Sequence, residues 1–304
     1  MSYKIGVDLG GTKISVAVLD SDGRTVFSKR LPTPSHDYAE IILAISQLFE
    51  AATGSGDYGV FDSVGVGIPG ALENDDIAVK NANTQVLIGR SLRTDLETKL
   101  GRPVHIANDA TCFAASEAAD GAGMSYPVVF GVIMGTGVGG GVVVDGRPII
   151  GENRLTGEWG HNPFPFYGGP PKGRSCYCGK IDCIEQILSG PAVSQDYLEL
   201  TGKEMRAEDV VIAANSGESA ATQVLTELSV NLAKALSTVI NLLDPNVIVL
   251  GGGLSNIDSL YEETPKHWGR YAFNASSKPA AISTRLVANR WGDDSGVRGA
   301  AWLT

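Results

Sequence analysis

No basic segment, apolar core and cleavage site open this chain, so no secretory signal is visible, and no apolar run approaches the length of a membrane span. Lysine and arginine form no cluster. With 24 of them against 34 aspartates and glutamates, the formal charge is −10. Nucleic acid and acidic membrane surfaces are therefore not expected as partners, and a cytoplasmic location is expected. No Gly-x-x-x-x-Gly-Lys-Ser/Thr run is present, so phosphate is not bound by a P-loop. Low-complexity segments and short-period repeats are lacking as well. Cysteine is scarce, with four in 304 residues: Cys112 stands alone, and Cys176, Cys178 and Cys183 cluster. In a cytosolic chain such clustering favours a metal over disulfides.

What is present suffices for two domains with cores of their own, and the hydrophobic share of 43% is normal for a globular protein. The alternation of elements reads as α/β. Strand-like runs cover Lys4–Leu9, Ile14–Leu19, Val64–Ile68, Val128–Met134, Gly141–Val144 and Val247–Leu250. Helical periodicity covers Tyr38–Ala52, Leu92–Leu100, Ala110–Ala119, Ala192–Leu200 and Ala220–Leu243. A small N-terminal domain is expected over residues 1–122 together with 293–304, and a larger one over 123–292. The terminal segment Asp294–Leu303 reads as a helix whose small residues Gly296, Gly299, Ala300 and Ala301 permit close packing on the first domain. Pro163–Arg174, rich in glycine and proline, reads as a loop.

One pattern occurs twice. Val7-Asp8-Leu9-Gly10-Gly11-Thr12-Lys13 and Ile133-Met134-Gly135-Thr136-Gly137-Val138-Gly139 each lie between two apolar strands. Glycines there allow positive φ and close approach of a ligand, and freed N–H groups and threonine hydroxyls suit phosphate oxygens. Two such hairpins suggest a duplicated domain with a nucleoside triphosphate between the halves. Taken singly, each is also an ordinary hairpin turning at glycine. The run Gly135 to Gly140 is followed by a strand, Val142-Val143-Val144, and not a helix, so a dinucleotide fold is excluded on context. Gly251-Gly252-Gly253 ends another apolar strand and reads as a ligand-facing turn.

Asn108-Asp109-Ala110 stands where a strand meets a helix. Asp109 reads equally as a helix cap and as a general base, kept ionised by the helix N-terminus. In phosphoryl transfer a weak base suffices, because the proton leaves late. His161, Cys176, Cys178 and Cys183 offer one nitrogen and three thiolates, a set that suits tetrahedral zinc in a structural site with no open position. Such a clamp would hold the loop between them. Glu158 and Glu185 flank it, and with Asn83, Asn108 and His161 they would suit a polyhydroxylated ligand; zinc on one imidazole nitrogen leaves the other as a donor.

Taken together, these residues resemble the ROK family of bacterial sugar kinases and sugar-responsive repressors. The matching pieces are Asp8 to Lys13, Gly67-Ile68-Pro69-Gly70, Asn108-Asp109-Ala110, Gly135 to Gly139, Glu158-Trp159-Gly160-His161, the segment Cys176 to Glu185, and Gly251 to Gly253. The resemblance implies an actin-like, ribonuclease-H-like fold, two domains with a duplicated βββαβα-type core around a central cleft, closing over ATP and sugar. It implies that Asp109 takes the proton of a sugar hydroxyl and that Asp8 positions magnesium. Gly10, Gly11, Thr12, Lys13, Thr136, Gly137, Gly252 and Gly253 would face the nucleotide. Asn83, Asn108, Asp109, Glu158, His161 and Glu185 would hold the sugar. Homodimers are common in the family. Asp182 stands where the family pattern usually has glycine. The repressors carry a helix-turn-helix ahead of the first hairpin; few residues precede Asp8, so none is expected. The expected activity is an ATP:hexose 6-phosphotransferase. Fructose is the leading substrate, possible mannose use is included, and N-acetylglucosamine and glucose are the alternatives. A non-catalytic sugar sensor and a sugar-independent ATPase are the readings from other classes.

Overall fold

The computed structural model describes residues 3–73, 78–82, 84–273 and 281–304. The expected substrate residue Asn83 lies outside the described residues. In chain order the strands are β1 (Lys4–Leu9), β2 (Lys13–Leu19), β3 (Thr25–Pro32), β4 (Val64–Ile68), β5 (Gly70–Leu72), β6 (Val79–Ala82), β7 (Val104–Asn108), β8 (Val128–Met134), β9 (Val138–Val144), β10 (Arg147–Pro148), β11 (Val247–Gly251) and β12 (Arg285–Ala288). The helices are α1 (Tyr38–Thr53), α2 (Leu92–Leu100), α3 (Asp109–Ala119), α4 (Glu185–Leu188), α5 (Gly190–Thr201), α6 (Ala207–Asn215), α7 (Ser219–Leu243), α8 (Ser259–Tyr271) and α9 (Ser295–Ala301).

The chain divides into two units. One comprises Met1–Ser125, Gly141–Thr156 and Arg290–Thr304; the other comprises Tyr126–Gly140 and Gly157–Asn289. The sequence expectation differs in giving all of 123–292 to the second domain and in making the first the smaller. Gly141–Thr156 belongs to the first unit because β9 enters it at a glycine. A Cβ on Gly141 would stand 2.6 Å from the Ala110 carbonyl oxygen and 2.8 Å from the Ala114 side chain, so only glycine lets the strand lie this close to α3.

In the first unit the sheet order is β3-β2-β1-β4-β7. β1 to β3 form an antiparallel meander, and β1, β4 and β7 run parallel. Ile5, Val7, Leu9, Val16, Val64 and Val66 are almost wholly buried in its core, as continuous apolar runs of parallel strands predict. α1 covers the sheet with Ile41, Ile45, Leu48 and Ala52, spaced for one helix face. Its N-cap Asp37 accepts hydrogen bonds from Ala39 N–H and Glu40 N–H, a device worth about 0.5–2 kcal/mol. α9 packs in this unit as its small residues require: a Cβ on Gly299 would stand 1.6 Å from the Cys112 carbonyl oxygen, and one on Gly65 of β4 would stand 1.7 Å from that of Ala300.

In the second unit β8 lies parallel to β11, and β11 parallel to β12. All five residues of β11 are buried. β9 leaves this unit after Gly140, and β10 pairs with it antiparallel. The chain order β8-β9-β10-α7-β11-α8-β12 thus repeats the order β1-β2-β3-α1-β4-α2-β7, with β5–β6 inserted in one copy and α4 to α6 in the other. α7 buries Val224, Leu225, Leu228, Leu232, Leu236 and Val239 on one side. It stops where Asp244 turns left-handed ahead of Pro245.

Candidate functional site

In open α/β sheets, ligands meet the carboxyl ends of the strands. In the first unit Asp8 lies near that end of β1, Ile68 closes β4, and Asn108 closes β7 opposite Ile68. Asn108 is the helix cap: its Oδ1 accepts the Thr111 N–H at 2.8 Å. Asp109 begins α3 and holds the Ala110 N–H at 2.8 Å with Oδ1. The capping of α3 is thus done by Asn108. The expectation that the helix terminus keeps the Asp109 pKa low is corrected. Solvent reaches this carboxylate, which is exposed, but protein around it strips part of its hydration and raises the pKa, outweighing the lowering by the Ala110 and Asp109 N–H groups. Asp8 is pushed up to about 6, first by burial and then by the charge of Asp109, against the weaker pull of Lys13 and Arg30.

The first hairpin turns at Gly10 to Lys13, closed by the Gly10 N–H on the Lys13 carbonyl at 2.9 Å. The Thr33 hydroxyl donates to the Gly10 carbonyl at 2.7 Å, and Thr33 N–H to that of Thr12. Lys13 is half-exposed and lies 3.7 Å from the exposed Asp293, a pair too solvated to hold it firmly. The second hairpin is closed one residue tighter, by Gly135 N–H on the Gly137 carbonyl at 2.9 Å. Positive φ, expected at these glycines, occurs at none of Gly10, Gly11, Gly135 or Gly137. Space is the reason for them. A Cβ on Gly137 would stand 2.6 Å from Glu185 Oε2, while those on Gly11 and Gly135 would meet nothing within 4 Å and leave room for a ligand. Positive φ does occur at Gly252 (80°), whose Cβ would collide with Met134 at 2.4 Å. That packing sets exposed Gly252 and Gly253 beside exposed Thr136 at the end of the second unit's sheet.

His161, Cys176, Cys178 and Cys183 converge in the second unit, with one ligand atom from each lying within 4.8 Å of the others. His161 Nδ1 is 3.5 Å from Cys176 Sγ, and Cys178 Sγ is 3.5 Å from Cys183 Sγ. These separations match the edges of a tetrahedron around an ion bonded at about 2.0–2.3 Å. The other imidazole nitrogen, expected to serve a ligand, sits 2.9 Å from the Tyr177 hydroxyl. Glu158 and His161 bound a 3-10 turn. Trp159 anchors that turn, its indole N–H donating to the Gly139 carbonyl at 3.0 Å and its ring meeting Phe130 edge-on. Glu185, buried, accepts the Val138 N–H at 3.0 Å and reaches to 3.9 Å from Cys176 Sγ. It therefore couples the cysteine cluster to the second hairpin.

Asp182 adopts φ 54°, the left-handed conformation that glycine adopts without strain. Its carboxylate accepts Gly173 N–H at 2.9 Å and Arg174 N–H at 2.8 Å, pinning the Gly/Pro-rich loop. The turn is kept and a clamp is added. Tyr177, Trp159 and the Asp182 clamp were not drawn from the sequence. An aromatic inside Cys-x-Cys and one beside Glu158 were the available signals.

The ROK family model matches residues 4–304. The N-acetyl-D-glucosamine kinase of Erwinia tasmaniensis is 41% identical over 303 residues, covering 98% of each chain, and that of Salmonella typhimurium is 38% identical with the same coverage. Among solved structures, a ROK hexokinase from Thermus thermophilus superposes with a TM-score of 0.85 at 27% identity, covering 99% of this chain and 97% of that one. A ROK glucokinase from Streptomyces griseus, in complex with glucose and AMPPNP, superposes with a TM-score of 0.77, also at 27% identity, covering 100% and 99%. The fold is the actin-like one expected, and the chain belongs to the ROK family.

Proposed function

We propose that this protein, a sugar kinase, transfers the terminal phosphate of ATP to the 6-hydroxyl of N-acetyl-D-glucosamine. The end-to-end similarity to N-acetyl-D-glucosamine kinases carries the choice of sugar. It favours the alternative raised by the sequence over fructose. Asp109 accepts the proton of the attacking hydroxyl, a step in which a raised pKa is an asset, because a stronger base drives the transfer further. Asn108 orients the sugar with the part of its amide that the helix cap leaves over; Glu158 and Glu185 hold its other hydroxyls, and His161, with its second nitrogen on the Tyr177 hydroxyl, fixes the turn that carries Glu158. The exposed turns at Gly10 to Lys13, Thr136 to Gly137 and Gly252 to Gly253 receive the nucleotide.

Asp8 fits a magnesium ion. Its carboxylate and that of Asp109 repel each other, and a divalent cation relieves that repulsion. The ion supplies charge neutralisation to the transferred phosphoryl group. We infer likewise that His161, Cys176, Cys178 and Cys183 hold structural zinc, since three sulfurs and one nitrogen gathered within 4.8 Å of one another are a borderline-soft donor set.

The test is ADP release with a panel of N-acetylglucosamine, glucose, mannose and fructose. The highest kcat/KM is expected for N-acetylglucosamine. A preference for fructose would overturn the choice of sugar, and ADP release independent of every sugar would overturn the kinase reading.

A further inference from the structure

Tyr177 stands between two of the clustered cysteines, Cys176 and Cys178. It is 81% exposed, yet neither its backbone nor its hydroxyl is loose. Cys176 N–H donates to the Lys180 carbonyl at 2.8 Å, and Gly179 N–H to the Cys176 carbonyl at 3.0 Å. The phenol oxygen lies 2.9 Å from His161 Nε2, and the two rings meet edge-on with their centroids 5.0 Å apart. A surface tyrosine commonly lays its ring on protein and turns its polar tip to water. Here the tip is engaged and most of the ring is open. Glu185 and Glu158, the carboxylates given to the sugar, lie close enough for their charges, after partial loss of hydration, to push the pKa of the phenol up to about 12.

We propose that the Tyr177 hydroxyl is a sugar contact, donating a hydrogen bond to one of the ring hydroxyls of the substrate. The inference rests on the reading of Glu158 and Glu185 as sugar ligands and of the cysteine cluster as a metal site, and it adds a residue to that site. Hydrogen-bonding capacity decides which group serves. His161 Nδ1 is the nitrogen turned to the cysteines, 3.5 Å from Cys176 Sγ; as a metal ligand it carries no proton, and Nε2 keeps one. The Tyr177 oxygen accepts that proton and is left with its own hydrogen to give. The imidazole is thereby used up, and the exposed phenol is the group beside it that can still donate. Ionised carboxylates only accept, so Glu158 and Glu185 take sugar O–H groups but offer nothing to the lone pairs of a sugar oxygen. Tyr177 supplies that donor. With a metal ligand on either side of it in the chain, the residue is held in place before the sugar arrives, which lowers the cost of binding.

The experiment is calorimetric binding of N-acetylglucosamine and its 1-, 3- and 4-deoxy analogues, without nucleotide, to the protein as purified and to Tyr177→Phe. Phenylalanine keeps the ring and removes only the hydroxyl. The variant should bind N-acetylglucosamine about 3- to 10-fold more weakly, the worth of one neutral hydrogen bond. The loss that one of the deoxy analogues suffers in the wild type should shrink by the same factor in the variant, while the losses of the other two persist; such a cycle isolates the pair and cancels any general weakening. Equal losses in both proteins at all three positions overturn the assignment. An unchanged affinity for N-acetylglucosamine overturns it as well, and so does a tighter one, which would make the hydroxyl a plug over His161 and not a contact. A wild-type protein that binds none of these sugars overturns the reading beneath it, a result distinct from the others.

Discussion

Asp8 and Asp109 show at the scale of single residues how burial sets charge. The Asp8 pKa lies at about 6 because lost hydration and the neighbouring carboxylate both oppose ionisation. The folded protein therefore binds more protons than the unfolded chain between about pH 4 and 6, so this group lowers stability as the pH rises through that window. In the role proposed for it Asp8 must be ionised to hold magnesium, so magnesium affinity should fall as the pH drops below about 6. Carboxyl-carbon NMR of the metal-free protein should find Asp8 titrating near 6. In Asp109→Asn, which removes the repelling charge, the Asp8 pKa should move down. An Asp8 pKa that stays put in the variant would contradict the coupling. Sequence could name both aspartates from their motifs. It misjudged the Asp109 pKa because the helix terminus is visible in one dimension and the surrounding packing is not.

Among elements, the turn at Asp182 shows what a departure from a family pattern can mean. Left-handed backbone costs most residues roughly 1 kcal/mol or more, though aspartate is among those that tolerate it. The two N–H groups of Gly173 and Arg174 that its carboxylate accepts more than compensate. Asp182→Ala keeps the strain and loses the clamp, so it should lower unfolding free energy by about 1–3 kcal/mol. Asp182→Gly relieves the strain and should lose less. Chemical denaturation of the three proteins measures this order; an alanine variant as stable as wild type would contradict it. Elements differed in how plainly the sequence announced them. β1, β4, β8 and α2 match the sequence reading to the residue, the strands as short, largely apolar runs and α2 by Leu92, Leu96 and Leu100 on one face ahead of Gly101. β3 is almost entirely exposed and carries Lys29 and Arg30, and α8 contains Pro265, so neither has the pattern that marks a strand or a helix. Positive φ, one of the two reasons the sequence offers for the hairpin glycines, does not hold, and the atom that crowds Gly137, Glu185 Oε2, comes from distant sequence.

On the scale of the whole molecule, the repeated order of strands and helices was foreshadowed by the two glycine hairpins. The strands β1, β4, β8 and β11, which pair in parallel in the two sheets, are almost wholly buried and cannot hide their apolar composition. The path of residues 141–156 back into the first unit was not foreshadowed, because it depends on the space beside α3 at Gly141. At the cysteine cluster a bound ion would act on the stability of the fold. Elemental analysis should give about one zinc per chain, and a strong chelator should lower the Tm, because the binding free energy of a structural ion is folding free energy. Metal-free protein with an undiminished Tm would contradict that role.

The central claim, that Asp109 is the base in phosphoryl transfer, is tested most directly by Asp109→Asn, comparing sugar binding by calorimetry with single-turnover transfer from ATP. The account predicts N-acetylglucosamine affinity within a few-fold of wild type and a transfer rate lower by about 10²–10⁴-fold. Transfer at close to the wild-type rate, with binding intact, would contradict it.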